Sequence, residues 1–485
     1  MLTILNHPLK YLKTIPGPAI NMLRTTMAIA LLLLAFNRPA SAQTDARQTP
    51  GAQKIGPQKN RQPNIIVILT DDMGYGDLSC LGGKYNTPNI DRLAAQGRIF
   101  ENYYSASPIC SPSRVGLMTG MSPARWRITS FLQKKADNKL CEQADYLSTE
   151  APFLARSLKS AGYATGHFGK WHMGGGRDVD DAPSITNYGF DEYKSTWESP
   201  DPDPVITSTD WIWSNSDSVK RWSRTAYFVD QTLKFLSAHQ NKPCFISLWP
   251  DDVHTPWVGG DDSRGQYPGG PDEEKSFVSV LTEYDRQIGR LIDGLVSLGI
   301  DNNTIVIFTS DNGPLPDFDH ARSAGRRGTK LSLYEGGIRM PFIIRWPGTI
   351  AEGTIDSTSV ISALDMFPGL CALSGGVYPK RYNADGEDVS RVLLGKPAER
   401  KSTLYWEYGR NETSFRYPPG NDRSPSLAIR EKGWKLLTDR QGGRVELYDL
   451  TADKQESKNI AEQNPDVTRR LKDKLLGWAA GLPDR

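Results

Sequence analysis

Two seven-residue runs constrain the fold most, Asn64-Ile-Ile-Val-Ile-Leu-Thr70 and Thr304-Ile-Val-Ile-Phe-Thr-Ser310. Neither alternates apolar with polar residues, the pattern of a strand covered on both faces inside a parallel sheet. A third run, Cys244-Phe-Ile-Ser-Leu-Trp249, has the same character. Parallel strands need crossover helices, so the expectation is an α/β chain with helices on both faces of one large sheet. The first run ends in Asp71-Asp72-Met-Gly-Tyr-Gly and the second in Asp311-Asn312-Gly. In open α/β sheets ligands bind at this C-terminal edge. Adjacent carboxylates there repel each other unless a cation lies between them, although an Asp pair opening a solvated turn gives the same letters. Four oxygen-bearing side chains from two strand ends, with no Cys or His among them, suit a hard divalent ion such as Ca²⁺ better than zinc.

The helices fall between these runs. Thr87 to Gly97, the stretch around Phe153 to Ala161 closed by Gly162, Tyr227 to His239 and Leu364 to Leu373 read as helices. Phe277, Leu281, Tyr284, Ile288, Leu291, Leu295 and Leu298 recur at steps of four and three, which predicts a long amphipathic helix with a packing role. Beyond about residue 385 the character changes: Leu427–Arg430, Trp434–Leu437 and Val445–Tyr448 read as short strands of an antiparallel meander, covered by a helix from about Asp466 to Ala480.

The chain of 485 residues is long enough for a large core with one appended subdomain, and its net charge of +2 favours no class of partner. Without a basic run or nucleic-acid motif, nucleic-acid binding is not expected. Arg24, the apolar run Met27 to Phe36 and Ala40-Ser41-Ala42 read as a signal peptide over residues 1–42, too short to anchor in a bilayer. A start at Met22 gives the usual length for such a signal, leaving residues 1–21 as an over-extended gene start. The protein is therefore expected to be exported, to a bacterial periplasm or beyond. Residues 43–62 read as a disordered leader. Five cysteines, Cys80, Cys110, Cys141, Cys244 and Cys371, show no metal spacing and allow one or two bridges at most once Cys110 is set aside.

Cys110 belongs to Ser107-Pro-Ile-Cys-Ser-Pro-Ser-Arg-Val-Gly-Leu-Met-Thr-Gly120. Pro112 suits a first helical turn, so the thiol side chain sits at a helix N-terminus with Arg114 four residues on. A nucleophile in that positive field is suited to attack on an anion. Lys170 and His172 follow in Gly162-Tyr-Ala-Thr-Gly-His-Phe-Gly-Lys-Trp-His172; two residues apart in extended chain, they face one side. His254-Thr-Pro256 follows the Cys244 run, and Lys330 precedes Tyr334-Glu-Gly-Gly337.

Together these segments resemble the type I, formylglycine-dependent sulfatases of the alkaline phosphatase-like superfamily, from about Pro63 to the end. Phe168 stands where that family usually has a smaller or aliphatic residue, a packing variation. The resemblance implies an α/β/α sandwich with a large mixed, mostly parallel sheet over 63–384, and a small C-terminal α+β subdomain with an antiparallel sheet over 385–485. It assigns Asp71, Asp72, Asp311 and Asn312 to one calcium ion. It gives Cys110, Arg114, Lys170, His172, His254 and Lys330 as active-site residues. In the family the cysteine is oxidised after translation to formylglycine, which implies a maturation enzyme acting on the unfolded Cys110 segment.

The chemistry is consistent with that assignment. A sulfate ester shields its sulfur with anionic oxygens and has a poor leaving group, so the site must supply cations, a strong nucleophile and a proton. Arg114, Lys170, Lys330 and the metal supply charge. His254 is the candidate general acid and His172 the residue at the aldehyde hydrate, roles that are exchangeable at this level. A thiol would leave a sulfur-linked ester with no easy release, whereas a hydrated aldehyde attacks with one hydroxyl and expels sulfate by deprotonating the other. The substrate expectation is sulfated carbohydrate: residues 173–224 carry Trp197, Trp211, Trp213 and Trp222, which can stack on sugar rings or pack their loop. Arg322, Arg326 and Arg327 can read a second anionic group or lie exposed. The alternatives are an arylsulfatase, a phosphatase or phosphonate hydrolase of the same superfamily, and a non-catalytic binder of sulfated glycans.

Overall fold

A computed structural model of the chain describes residues 62–260, 272–379, 382–415 and 418–483. The expected signal peptide and all but the last residue of the leader lie outside them. Eight strands form the main sheet, in the order Thr354–Asp356, Arg98–Phe100, Phe342–Arg345, Thr304–Ser310, Asn64–Thr70, Cys244–Trp249, Ala164–Gly169 and Glu192–Ser195. Only Phe342–Arg345 runs antiparallel to its neighbours.

The absence of alternation in the two apolar runs follows from this architecture. Along Asn64–Thr70, Ile65, Val67 and Leu69 point into one core, and Ile66 and Ile68 into the other. Ile305 and Ile307 share the first core, Val306 and Phe308 the second. All are at most 1% exposed, and burying each side chain contributes about 1.5–3 kcal/mol before the entropy of ordering is subtracted.

Helices close both faces. On one lie Cys110–Thr119, Leu154–Ser160 and Met366–Ser374; on the other, Pro88–Ala95, Arg224–Ala238 and the long Asp272–Ser297 helix. The long helix turns Phe277, Leu281, Tyr284, Ile288, Leu291 and Leu295 inward, as their spacing predicts.

The C-terminal sheet has four antiparallel strands, Leu404–Glu407, Leu427–Glu431, Trp434–Thr438 and Glu446–Asp449. The first is missing from the sequence reading: Leu404-Tyr-Trp-Glu is too short to carry a pattern, and its stability comes from tertiary contacts such as Tyr405 stacked on Trp478 at 5.0 Å. Leu427, Ile429, Leu436 and Leu447 pack under the Pro465–Ala480 helix through Leu471 and Leu475. The opposite face, with Trp406, Ala428, Leu437 and Tyr448, packs against Tyr104, Ile109, Cys110 and Tyr334. The subdomain thus backs the Cys110 segment directly.

A buried ionic link fastens that contact. Lys435 Nζ lies 2.9 Å from Glu335 and 2.8 Å from Glu456, all three fully buried. Burial pushes Glu456 up to about 7 against the pull of Lys435, whereas Lys435 and Arg339 overcome burial to hold Glu335 down to about 2. Lys435→Met should leave two buried carboxylates with too little positive charge and cost about 3–5 kcal/mol of stability. Scanning calorimetry checks this; an unchanged unfolding temperature would contradict it.

Candidate active site

The in-register pairing of the two apolar strands, Asn64 opposite Thr304 through Thr70 opposite Ser310, brings Asp71 and Asp72 level with Asp311 and Asn312. The Asp72 backbone N–H donates to Asp311 Oδ1 at 3.2 Å, and Asn312 Nδ2 donates to Asp72 Oδ1 at 2.7 Å. Asp72 takes φ of 62°, which turns the chain out of the strand. Gly313 is required by close approach: a Cβ there would lie 2.0 Å from the Gly336 carbonyl, which ties Asp-Asn-Gly to Glu-Gly-Gly. Two further parallel strands end at the same edge, Cys244–Trp249 leading to His254 and Ala164–Gly169 to Lys170 and His172.

Cys110 is the first residue of the helix Cys110–Thr119, and its Sγ donates to Asp71 Oδ1 at 3.5 Å. One turn on, Arg114 grips Asp311 Oδ2 through Nε and Nη2 at 3.1 and 2.6 Å, donates through Nη1 to the Lys170 carbonyl at 2.8 Å, and lies 3.3 Å from Asp71. Lys170 Nζ reaches Asp71 Oδ2 at 2.9 Å, and Lys330 Nζ reaches Asp72 Oδ2 at 2.6 Å and His254 Nε2 at 3.0 Å. The structure therefore gathers Cys110, Arg114, Lys170, His254 and Lys330 around Asp71, Asp72, Asp311 and Asn312 in one cluster.

Its electrostatics follow from burial opposed by charge. Burial alone would raise Asp71, yet Lys170, His254, Arg114 and Lys330 hold it well below the usual carboxylate range. Burial pushes the Cys110 thiol well above its ordinary value, against Lys170 and Lys330. A thiol so placed is a poor nucleophile. His254 Nδ1 faces the Thr255 carbonyl at 2.6 Å and therefore carries the proton, leaving Nε2 toward Lys330. His172 is the reverse: Nε2 faces two acceptors, the Leu132 carbonyl at 3.2 Å and Glu198 at 3.3 Å.

One nitrogen, one sulfur and two carboxylate oxygens, from His254, Cys110, Asp71 and Asp72, lie within 4.8 Å of one another. The oxygen set is the better cation cradle. The Asn312 amide spends its Nδ2 on Asp72 and the Gly313 carbonyl, and its Oδ1 is buried with no hydrogen-bond partner. Asp311 is pushed up to about 7 by burial, against Arg114 and with Asp71 and Asp72 crowding it. Both His254 nitrogens already have partners. The residues fit a hard divalent ion.

The cluster opens into a cleft of about 1010 Å³ whose wall includes Cys110, Lys170, His172, His254 and Lys330, together with Trp197, Trp211 and Trp257. Comparison with known proteins places this arrangement. A family profile described as Sulfatase matches residues 63–377, and one described as N-sulphoglucosamine sulphohydrolase, C-terminal, matches residues 329–480. Over 87% of its length the chain is 30% identical to N-acetylgalactosamine-6-O-sulfatase of Bacteroides thetaiotaomicron, covering 94% of that protein. Human arylsulfatase A is 31% identical over 71% of this chain and 70% of its own. A structure solved in work on metabolism of multiple glycosaminoglycans by Bacteroides thetaiotaomicron superposes with a TM-score of 0.72 at 28% identity, over 86% of this chain and 99% of that one.

The chain belongs to the sulfatase family. It is a sulfuric ester hydrolase with the alkaline phosphatase-like α/β fold.

Three readings of the sequence need correction within this sulfatase. Lys170 and His172 do not share a side through extended spacing: the strand ends at Gly169, and His172 takes φ of 50° with its N–H on the Glu198 carbonyl. The arginine loop does not face the cleft. Arg322 is fully buried, donates to both oxygens of Asp77 and to the Asp72 carbonyl, and so braces the turn that follows Asp72. Arg326 lies over Tyr75 at 3.8 Å, and Arg327 over Tyr334 at 3.8 Å with a hydrogen bond to Tyr448. Finally, all five cysteines are free, so the possible bridges do not form.

Two residues escaped the sequence reading. Glu198 lies in the cleft wall beside Lys170 at 3.2 Å, His172 and Arg177, and those neighbours hold it below its ordinary value despite burial. Arg221 clamps the His254 turn, donating to the carbonyls of Asp251, His254 and Pro256 at 2.7, 2.8 and 3.2 Å. Neither stands in a recognisable motif. Arg221→Lys replaces a fork spanning three carbonyls by one ammonium and should lower kcat by about 10²-fold through misplaced His254, with KM little changed. Steady-state kinetics check it; an equal loss through KM alone would contradict the clamp.

Proposed function

We propose that this sulfatase removes sulfate from carbohydrate after export, using formylglycine formed from Cys110 and one calcium ion. The observation that carries the reading is the position of residue 110: at a helix N-terminus, against Asp71, facing a cleft ringed by Lys170, Lys330 and His254. A buried thiol with a raised pKa is unsuited to the task. An aldehyde hydrate there supplies a hydroxyl nucleophile and a second hydroxyl whose deprotonation releases sulfate. Asp71, Asp72, Asp311 and Asn312 would hold the cation, which supplies Lewis-acid polarisation of the sulfate oxygens.

The chain's own groups do the remaining work. Lys170 and Lys330 reach the floor of the cleft, from which they can bind the sulfate oxygens and the charge that grows on them. Arg114 is committed to Asp311 and Asp71 and fixes the carboxylates rather than the substrate. His254 is the better candidate for protonating the leaving oxygen, since its side chain is 20% exposed against 5% for His172, and the Lys330 ammonium 3.0 Å from its Nε2 is the adjacent source of the proton it would pass on. His172, held by Glu198 and Leu132, lines the same cleft as residue 110.

Carbohydrate is favoured by the outer cleft. Trp211 is 60% exposed and stands 5.5 Å from Trp197, whose ring carries the Arg177 guanidinium at 4.4 Å. An apolar face braced in this way suits a sugar ring. Trp213 and Trp222 lie outside the cleft wall, half-buried, and act in packing. The N-acetylgalactosamine-6-O-sulfatase relative, matched over nearly its whole length, favours the same substrate class. The export signal at residues 1–42 and the maturation enzyme are parts of this proposal.

Protein co-expressed with a formylglycine-generating enzyme should show, in peptide mass spectra of the Cys110 segment, the change from CH₂SH to CHO. It should release sulfate from sulfated sugars, and Cys110→Ala should abolish release. Only thiol, with the maturation enzyme active on a control, would leave the glycan-binder reading instead. His254→Asn should lower kcat by about 10²–10⁴-fold on sugar sulfates, where the leaving alkoxide needs a proton. The loss should be far smaller on an aryl sulfate with an acidic phenol. Equal losses on both would remove His254 from the acid role.

A further inference from the structure

A second cavity, of about 680 Å³, lies against the C-terminal sheet and shares no lining residue with the catalytic cleft. Arg430, on the strand Leu427–Glu431, forms part of its wall. The side chain is 7% exposed and its guanidinium carbon sits 4.7 Å from the Tyr104 ring centroid. Its Nε and Nη1 are buried without a hydrogen-bond partner among the described residues. Two more orphaned polar atoms lie in the same wall, Arg400 Nε and Ser402 Oγ. The other two Arg400 nitrogens are spent on Asp365 at 2.5 and 3.0 Å.

Charge around the cavity is predominantly positive. Arg400, Arg430, Lys432 and Lys454 line it, against the single acid Glu399, which stands 3.6 Å from Lys432 in an exposed pair of little strength. Lys454 is exposed and has no ion-pair partner among the described residues. A buried guanidinium with two idle N–H groups is costly unless an acceptor meets it, and a tetrahedral oxyanion carries several oxygens with which to answer separate donors. The space is far larger than one water needs.

We propose that this cavity is a second oxyanion site, taking a tetrahedral sulfate group on Arg430, Ser402 and Lys454. The group has two possible sources, a sulfate carried by a glycan chain whose other end occupies the catalytic cleft, or free inorganic sulfate. The site is read from its own residues and needs neither turnover nor a modified Cys110.

Crystals of the full chain soaked in selenate test it by anomalous scattering. The expected result is a selenium peak within hydrogen-bond distance of Arg430 Nε or Nη1, lost in Arg430→Gln. Because Arg430 packs on Tyr104 and its replacement disturbs that contact, Lys454→Glu, an exposed change, serves as the second variant: selenate should bind about fivefold more weakly. Water alone in the cavity, or a peak indifferent to both variants, would overturn the proposal. Kinetics then separate the sources. A raised KM for long sulfated oligosaccharides in Lys454→Glu, with a small aryl sulfate unaffected, identifies the glycan; no change on either, with the peak present, identifies the free ion.

Discussion

Three carboxylates at one sheet edge are the constraint on which this molecule turns. Parallel pairing of Asn64–Thr70 with Thr304–Ser310 places Asp71, Asp72 and Asp311 together, none more than 1% exposed. Buried charge of one sign is tolerated only when charge of the other sign is buried beside it. The three cations that answer come from three different places: Arg114 from a helix start, Lys170 from a neighbouring strand end, Lys330 from a loop before the Glu335 turn. Folding of distant segments is thereby tied to formation of the site.

The C-terminal subdomain extends the same logic. Its inner face packs on Ile109 and Cys110, and its Lys435 neutralises Glu335, the residue that opens the Glu-Gly-Gly turn. That turn meets Gly313 by backbone approach, and Gly313 follows Asn312. A continuous chain of contacts therefore runs from the C-terminal sheet to the carboxylates. The subdomain supports the geometry of the site without supplying any of its reactive groups.

Much of this was legible in the sequence because burial on both faces leaves a plain trace. Ile65 to Leu69 and Ile305 to Phe308 could be placed without knowing their partners, and strand ends carry their next residues to one edge. The Asp71 and Asp311 positions followed from that alone. Arg322 was illegible because its partner Asp77 is 245 residues away, and an arginine in a polar loop looks the same exposed or buried. Glu198 and Arg221 share that difficulty: each acts through backbone carbonyls or side chains of other loops. The Lys170 and His172 pairing was found for the wrong reason, since the positive φ at His172, not extended spacing, turns its ring toward the cleft.

Charge balance within the cleft bears on how the proposed cation would act. Arg114, Lys170, Lys330 and Arg177 stand against Asp71, Asp72, Asp311 and Glu198, each cation in contact with at least one carboxylate. With all eight ionised they sum to zero, and a sulfate monoester then meets no net attraction from them. A divalent ion among the oxygens of Asp71, Asp72, Asp311 and Asn312 changes that sum by two. Such an ion would also compete for the oxygens that hold Lys170 and Lys330, and so would leave both ammonium groups free for a bound sulfate. The reach of Lys170 and Lys330 to the substrate therefore depends on how far Asp71 and Asp72 are otherwise neutralised.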